Sequence, residues 1–151
     1  MILVRKALAR ESKLISHFQV EMARETEGLE LDLSVVEKGV SAVFSDPGKG
    51  CYYVAELDGK TAGSLLTTFE WSDWRNCNMV WIQSVYVMPL HRGKGVFSSL
   101  YGHLRQLVEG DTGLGGIRLY VDSKNEDAFN VYSRLGMKKS NYRMFEWSPG
   151  W

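Results

Sequence analysis

The 151-residue chain has little of several features that would place it in a specialised class. Its two cysteines, Cys51 and Cys77, are too few for a disulfide framework or a four-ligand zinc cluster. Its 18 basic and 18 acidic residues balance, which argues against general binding to nucleic acid or to an anionic membrane. No apolar run approaches the roughly 18 residues of a membrane span. Charge at Arg5 and Lys6 comes too early for a signal-peptide core. We therefore expect a cytoplasmic protein with reduced thiols and no metal site.

The remaining composition is typical of one globular domain. The chain is 44% hydrophobic and 24% charged, close to the globular average, and its length suits a single domain that we expect to span residues 1–151. Periodicity and turn residues predict strands at 2–6, 51–57, 61–69, 79–87, 117–121 and 142–147, and helices at 11–26, 32–44, 97–108 and 126–135. This order indicates a mixed α/β fold with a central meander of three strands.

The sharpest local feature is a strand that runs into a glycine turn and then into an amphipathic helix. The strand ends at Val87, the turn contains Arg92-Gly93-Lys94-Gly95, and the helix follows. Glycine lets the main chain approach a ligand closely, and the first amides of a helix attract an anion. The turn lacks the Gly-Lys-Ser/Thr of a P-loop and the third glycine of a dinucleotide-binding turn. It predicts a phosphate cradle, with an ordinary tight turn and two solvated cations as the alternative.

A second motif lies near the end of the chain. Asn125 precedes the short helix, and Ala128, Tyr132 and Gly136 follow it. Asn125 is suited to cap the helix, and a helical tyrosine is commonly a core residue. The phenol of Tyr132 is also neutral at physiological pH, so it can donate a proton to a departing thiolate.

Together the two motifs resemble those of the GCN5-related N-acetyltransferases (GNAT), and the predicted element order agrees over nearly the whole chain. The resemblance implies a mixed, mostly antiparallel central sheet flanked by helices, with a splayed pair of strands at the cofactor cleft. The family signature falls on Arg92, Gly95 and Phe97, where Phe97 replaces the usual Gly or Ala and its side chain must turn away from the loop.

The resemblance also implies a co-substrate, acetyl-CoA, and residues that hold it. The turn amides would bind its pyrophosphate, the preceding strand would pair with its pantetheine arm, Asn125 would contact the pantetheine region, and Tyr132 would be the general acid. The residues assigned to the coenzyme are Val85, Tyr86, Val87, Arg92, Gly93, Lys94, Gly95, Val96, Phe97, Ser98 and Asn125.

The acceptor site is sought among acidic and aromatic residues outside these motifs. Carboxylates beside tryptophans suit a cationic amine through charge pairing and cation–π contact. A solvated helix face and ordinary packing are the alternatives. The substrate candidates are Glu25, Glu27, Trp71, Asp73, Trp74 and Gln83. Glu70 is the first choice of general base, Glu25 the second, and a water relayed through Gln83 or Ser84 the third.

The sequence therefore predicts an N-acetyltransferase that moves the acetyl group of acetyl-CoA to a primary amine, a small cationic one, by direct attack in a ternary complex. The alternatives are a non-catalytic CoA-binding or sensing module, and an enzyme acting on a protein lysine or N-terminus. A homodimer is plausible by analogy with the family.

Overall fold

The computed structural model describes residues 1–150 as strands and helices around one sheet. In chain order the elements are β1 (Ile2–Lys6), α1 (Ser12–Glu27), α2 (Leu33–Ser45), β2 (Cys51–Leu57), β3 (Lys60–Ser72), β4 (Cys77–Val87), α3 (Val96–Glu109), β5 (Leu114–Leu119) and α4 (Glu126–Arg134). The strands lie side by side in the order β1-β2-β3-β4-β5. The first three pairings are antiparallel, and β4 pairs with β5 in parallel. The expected mixed, mostly antiparallel sheet is confirmed.

Short polar and glycine residues set the ends of these elements. Asp32 caps α2, because its Oδ1 accepts from the amide of Ser34 at 2.8 Å. Gly28 ends α1 in the left-handed region at φ +63°. Asp58 and Gly59 both have positive φ, +50° and +78°, which is the geometry of a tight turn between β2 and β3.

Helices cover both faces of the sheet. On one face, Ile15 of α1 and Val40 of α2 form a buried cluster with Tyr52 and Val54 of β2. On the other face, Tyr53, which lies between Tyr52 and Val54 in β2, contacts His103 of α3 with ring centroids 5.5 Å apart. Alternate residues of one strand therefore face α1 and α2 on one side and α3 on the other.

The structure differs from the predicted elements in three places. The β3–β4 hairpin is longer than predicted, since β3 continues to Ser72 and β4 begins at Cys77. The last paired strand, β5, starts at Leu114 rather than at residue 117. The predicted strand at residues 142–147 is wrong, because these residues are not in a strand. A strand needs a neighbour to pair its main-chain groups, and no strand is assigned within residues 121–150.

The chain divides into two compact units, Met1–Tyr120 and Val121–Trp151. The first unit contains the sheet and α1 to α3, and the described part of the second contains α4. Among residues 1–150, no helix has the length and apolar character needed to cross a membrane.

Candidate active site

Strand β4 carries an irregularity near its end. Ser64 of β3 pairs with Tyr86, while Leu66, two residues on, pairs with Gln83. Two residues of β4 therefore lie opposite one residue of β3, which is a β-bulge. One of the two is Ser84, whose φ of +53° is rare outside glycine. The bulge bends β4 just before the strand residues expected to meet the pantetheine arm.

Beyond the bulge, β4 separates from β5. The last pair between these strands is Ile82 with Leu119, and β4 then continues to Val87. On the β5 side, the segment Gln83–Val87 has no strand partner among the described residues. An extended ligand with amide groups can pair with such an edge as an added strand does. This is the splayed pair of strands that the sequence resemblance implied.

The loop after β4 turns through two left-handed glycines into α3. Gly93 has φ +73° and Gly95 has φ +81°, and Gly95 is the N-cap of the helix. The first helical hydrogen bond runs from Ser99 to the carbonyl of Gly95 at 2.9 Å. A Cβ built on either glycine would meet no atom within 4 Å. The space beside these two glycines is therefore open, and the dipole of α3 favours an anion placed there.

Phe97 has the orientation that the sequence required. Its ring lies near that of Tyr101, one turn along α3, with centroids 6.3 Å apart. The side chain thus runs along the helix rather than over the loop. A phenylalanine in place of the usual small residue is compatible with a ligand at the helix N-terminus.

The Arg92 side chain makes its contacts inside the protein. Its Nη2 donates to Oε2 of Glu25 at 2.6 Å, and its Nε donates to the carbonyl of Val87 at 2.9 Å. Its guanidinium also lies over the ring of Tyr86, 5.6 Å from the centroid. Arg92 therefore ties α1 to the end of β4, and both Arg92 and Lys94 are exposed cations of the loop.

Glu25 and Tyr86 form a polar contact beside the splayed strand. The Tyr86 hydroxyl donates to Oε1 of Glu25 at 3.4 Å, and its ring packs 5.1 Å from that of Phe18. Burial, and then the nearby Glu25 carboxylate, raise the pKa of Tyr86, so its phenol is neutral at physiological pH. Glu27, two residues later on α1, is exposed.

The structure places Glu70 far from Glu25 and Tyr86. Glu70 lies opposite Met79, whereas Gly63 lies opposite Val87. Seven residues of strand separate Gly63 from Glu70, about 23 Å at the usual rise. The Glu70 carboxylate is paired with Arg118 of β5.

The tryptophan candidates lie at the same end of the hairpin as Glu70. Trp71 and Trp74 are 61% and 89% exposed, and Asp73 lies between them. Gln83 is nearer the bulge, and its amide donates to the hydroxyl of Thr68 at 2.8 Å. The structure thus brings Glu25 to the splayed strand but not Trp71, Asp73 or Trp74.

Two small residues of β3 that sequence reasoning missed shape the site. A Cβ on Gly63 would lie 2.6 Å from the carbonyl of Tyr86, so only glycine fits there. Ser64 is fully buried, and its hydroxyl has no hydrogen-bond partner among the described residues. The adjacent Gly-Ser in an otherwise β-branched and aliphatic strand is the signal that could have indicated a close approach of the β4 main chain to β3.

In the second unit, Asn125 and Tyr132 belong to α4. The side-chain oxygen of Asn125 accepts from the amide of Ala128 at 3.0 Å, so Asn125 caps the helix as its position predicted. Burial raises the pKa of Tyr132, which keeps its phenol protonated at physiological pH.

The sheet also borders an apolar cavity of about 380 Å³. It lies near Phe44, Cys51, Val80 and Leu104, and no residue assigned to the coenzyme lines it. Within residues 1–150, no group of three or more His, Cys, Asp or Glu is arranged to hold a metal ion. The candidate site at the end of β4 is therefore separate from this cavity.

Comparison with known proteins settles the family. A sequence model of the acetyltransferase (GNAT) family matches residues 13–137. The chain belongs to the GNAT acetyltransferase family. The expected family, fold class and enzyme class are confirmed, and acetyl-CoA is the acetyl donor that this family uses.

The relatives of this GNAT acetyltransferase include curated and solved proteins. Mycothiol acetyltransferase of Corynebacterium aurimucosum is 28% identical over 109 residues, which are 70% of this chain and 35% of that protein. The chain thus spans about a third of that relative. A possible acetyltransferase from Clostridium difficile 630 is 40% identical, with a TM-score of 0.92 over 98% of this chain and 97% of that one. A predicted acetyltransferase with acetyl-CoA from Clostridium acetobutylicum shares the fold, at 17% identity and a TM-score of 0.75, over 97% and 96% of the two chains.

Proposed function

We propose that this GNAT acetyltransferase transfers the acetyl group of acetyl-CoA to the nitrogen of a small cationic primary amine. The observation that carries the proposal is the end of β4, which has no strand partner on its β5 side among the described residues and runs into a left-handed glycine turn and the first turn of α3. A strand edge beside a helix N-terminus suits a ligand with an amide-bearing arm and a diphosphate.

The coenzyme is assigned to this cleft by its chemistry. The amides from Gly93 to Ser98 bind the diphosphate, with Lys94 adding charge. The edge of Val85–Val87 pairs with the pantetheine amides. Asn125 contacts the pantetheine region through its side-chain NH₂, since its oxygen caps α4. The open space over Gly93 and Gly95 supports this fit.

The acceptor amine is assigned to Glu25. A carboxylate has about four lone-pair sites, and Arg92 and Tyr86 use two of those on Glu25. The remaining sites can accept hydrogen bonds from an ammonium group. Glu27 on the same helix adds negative charge.

We assign the general base to Glu25 rather than to Glu70, the first choice from the sequence. Glu70 is paired with Arg118 at the far end of the hairpin, while Glu25 lies beside Tyr86 of the splayed strand. Glu25 would accept a proton from the bound ammonium, directly or through water, and so free the nitrogen lone pair.

The remaining steps belong to the main chain and to Tyr132. Acetyl-CoA supplies an activated thioester when bound. A main-chain amide of β4 polarises the acetyl carbonyl while the amine nitrogen attacks its carbon. As the carbon–sulfur bond breaks, the Tyr132 phenol donates its proton to the departing sulfur. Neither free cysteine, Cys51 or Cys77, is required as a nucleophile.

A thiol-release assay across an amine panel tests the function. The panel includes small diamines, neutral-tailed primary amines, a lysine peptide and a peptide with a free N-terminus. We expect turnover to be greatest with small amines that carry a second positive charge. Coenzyme binding with no turnover on any amine would favour a binding module, and preference for either peptide would favour a protein-modifying enzyme.

Glu25→Gln tests the acceptor assignment. It removes the charge and the proposed base while keeping the shape, so the KM for a cationic amine should rise about fivefold, as for a partly exposed ion pair, and kcat should fall about 100-fold or more. Glu30→Gln is the matched control, because Glu30 also pairs with an arginine, Arg24, but has no hydrogen bond or ion pair with β4 among the described residues. Equal effects of the two substitutions would contradict the assignment.

A further inference from the structure

The apolar cavity of about 380 Å³ lies where the sheet meets the ends of α2 and α3. Phe44 comes from the last turn of α2, and Leu107 and Val108 come from the last turn of α3. Thr67 of β3 and Val80 of β4 line the cavity from the sheet. Ligand pockets in proteins have volumes of about 300–1,000 Å³ and mostly apolar walls. The cavity therefore has the size and the lining of a small-molecule site.

This space is larger than an ordinary packing void. Protein interiors contain few voids larger than a water molecule, whereas 380 Å³ has room for roughly a dozen heavy atoms at about 30 Å³ each. Lys6 and Phe69 line the cavity and are exposed to solvent, so a ligand can enter from the surface. All of its lining residues belong to the first unit, Met1–Tyr120.

The charge beside the cavity is positive and comes from Lys6. Lys6 lies opposite Tyr53 in the β1–β2 ladder, so both side chains are on one face of the sheet. The Lys6 charge also acts on the Cys51 thiol, where it partly offsets the rise in pKa that burial causes. The salt bridges of β1 use the neighbouring Arg5, and among residues 1–150 none engages the Lys6 ammonium.

The other polar groups that line the cavity are neutral. Burial raises the pKa of the Cys51 thiol and of the phenols of Tyr52 and Tyr53, so none of the three is ionised at physiological pH. The Thr67 hydroxyl donates to the carbonyl of Cys51 at 3.1 Å. No carboxylate is among the described residues that line the cavity. A cation without an ion-pair partner beside an apolar space is complementary to an anion with an apolar body.

We propose that this cavity binds a monocarboxylic acid with an apolar chain of about ten carbons. The chain occupies the space between the sheet and the last turn of α3, and the carboxylate pairs with the Lys6 ammonium at the surface. An acid of ten carbons has roughly a dozen heavy atoms, which matches the volume. The site is distinct from the coenzyme cleft, and it does not depend on which amine is acetylated.

A chain-length series measures the size of the site. Straight-chain acids from four to fourteen carbons, kept below their micelle-forming concentrations, are titrated into the full chain by calorimetry. Affinity should rise about fourfold for each added CH₂ group and should level off near ten carbons, when the cavity is full. A rise that continues to fourteen carbons, or no saturable binding at any length, would overturn the proposal.

The role of Lys6 is tested with decanoate, decanol and decylamine, which share the chain and differ in charge. We expect decanoate to bind most tightly and decylamine least. Lys6→Met keeps most of the side chain and removes its charge, so it should weaken decanoate binding about fivefold and leave decanol binding unchanged. Lys60→Met is the matched control, because Lys60 is also an exposed lysine of a strand but does not line the cavity. Equal affinity of the parent for all three ligands would contradict the pairing with Lys6.

Methyl resonances in NMR spectra locate the ligand. Decanoate should shift those of Leu107 and Val108 and leave those of Val85 and Val87 unchanged. Val108→Phe should move the plateau of the series to shorter acids, whereas Val35→Phe, at a 63% exposed valine outside the cavity, should not. Shifts confined to Val85 and Val87, or displacement of decanoate by CoA, would place the acid in the coenzyme cleft and refute the separate site.

Discussion

Replacing Gly95 by alanine separates the ligand-binding role of the turn from its effect on stability. Gly95 has φ +81°, and an added Cβ meets no atom within 4 Å. The cost to folding is therefore conformational, about 1–2 kcal/mol for a left-handed residue with a Cβ. The new methyl group also projects into the space assigned to the diphosphate. Loss of one charge-assisted hydrogen bond, about 1.5–3 kcal/mol, would raise the Kd for CoA roughly 10- to 150-fold.

Gly59→Ala is the matched control for this prediction. Gly59 has φ +78° and equally open surroundings, but it lies in the β2–β3 turn. Both variants should lose about the same free energy of unfolding in urea, and only Gly95→Ala should lose CoA affinity by calorimetry. Parental CoA affinity in a folded Gly95→Ala protein would refute the cradle.

Three further predictions concern the proton donor, the distant carboxylate and acid stability. Tyr132→Phe should lower kcat more than CoA affinity, and because burial raises the pKa of Tyr132, the parent should keep its donor to a higher pH than an exposed tyrosine would in a pH–rate profile. Glu70→Gln should leave kcat within about twofold in the steady-state assay, whereas a loss comparable to that of Tyr132→Phe would restore Glu70 as the base. The hydrogen bond from Arg5 lowers the pKa of Glu11, so its stabilising effect exists at neutral pH and is lost on acidification. Glu11→Gln should then reduce the free energy of unfolding at pH 7, with the difference from the parent shrinking below about pH 4 in urea titrations.

Local patterns in the sequence predicted most of the fold. The apolar spacing of α3, with Leu100 and Leu104 both buried, needed no tertiary information. The cap at Asp32 and the turn at Asp58-Gly59 followed from residue type alone. The prediction of a strand at residues 142–147 was wrong because strand formation depends on a neighbouring strand, which no local pattern specifies.

The geometry of the turn assigned to the coenzyme was predictable because it depends largely on the main chain. Two glycines before an amphipathic helix fix the turn whatever surrounds it. The acceptor side was not, since it depends on which side chains meet across the fold. Sequence reasoning ranked Glu70 above Glu25, and only the fold shows Glu70 paired with Arg118 and Glu25 beside Tyr86.

The extra residue of the bulge in β4 also shifts the alternation of its side chains between the two faces of the sheet by one position. Ile82 and Val87 are five positions apart, an odd interval that puts two residues of a regular strand on opposite faces. Here they lie opposite Thr67 and Gly63, which share one face of β3. Deleting Ser84 would keep Tyr86 opposite Ser64 but remove the bulge, and with it the bend of β4 before its splayed end. The length of this strand, and not only its residue types, is therefore part of what the enzyme must keep.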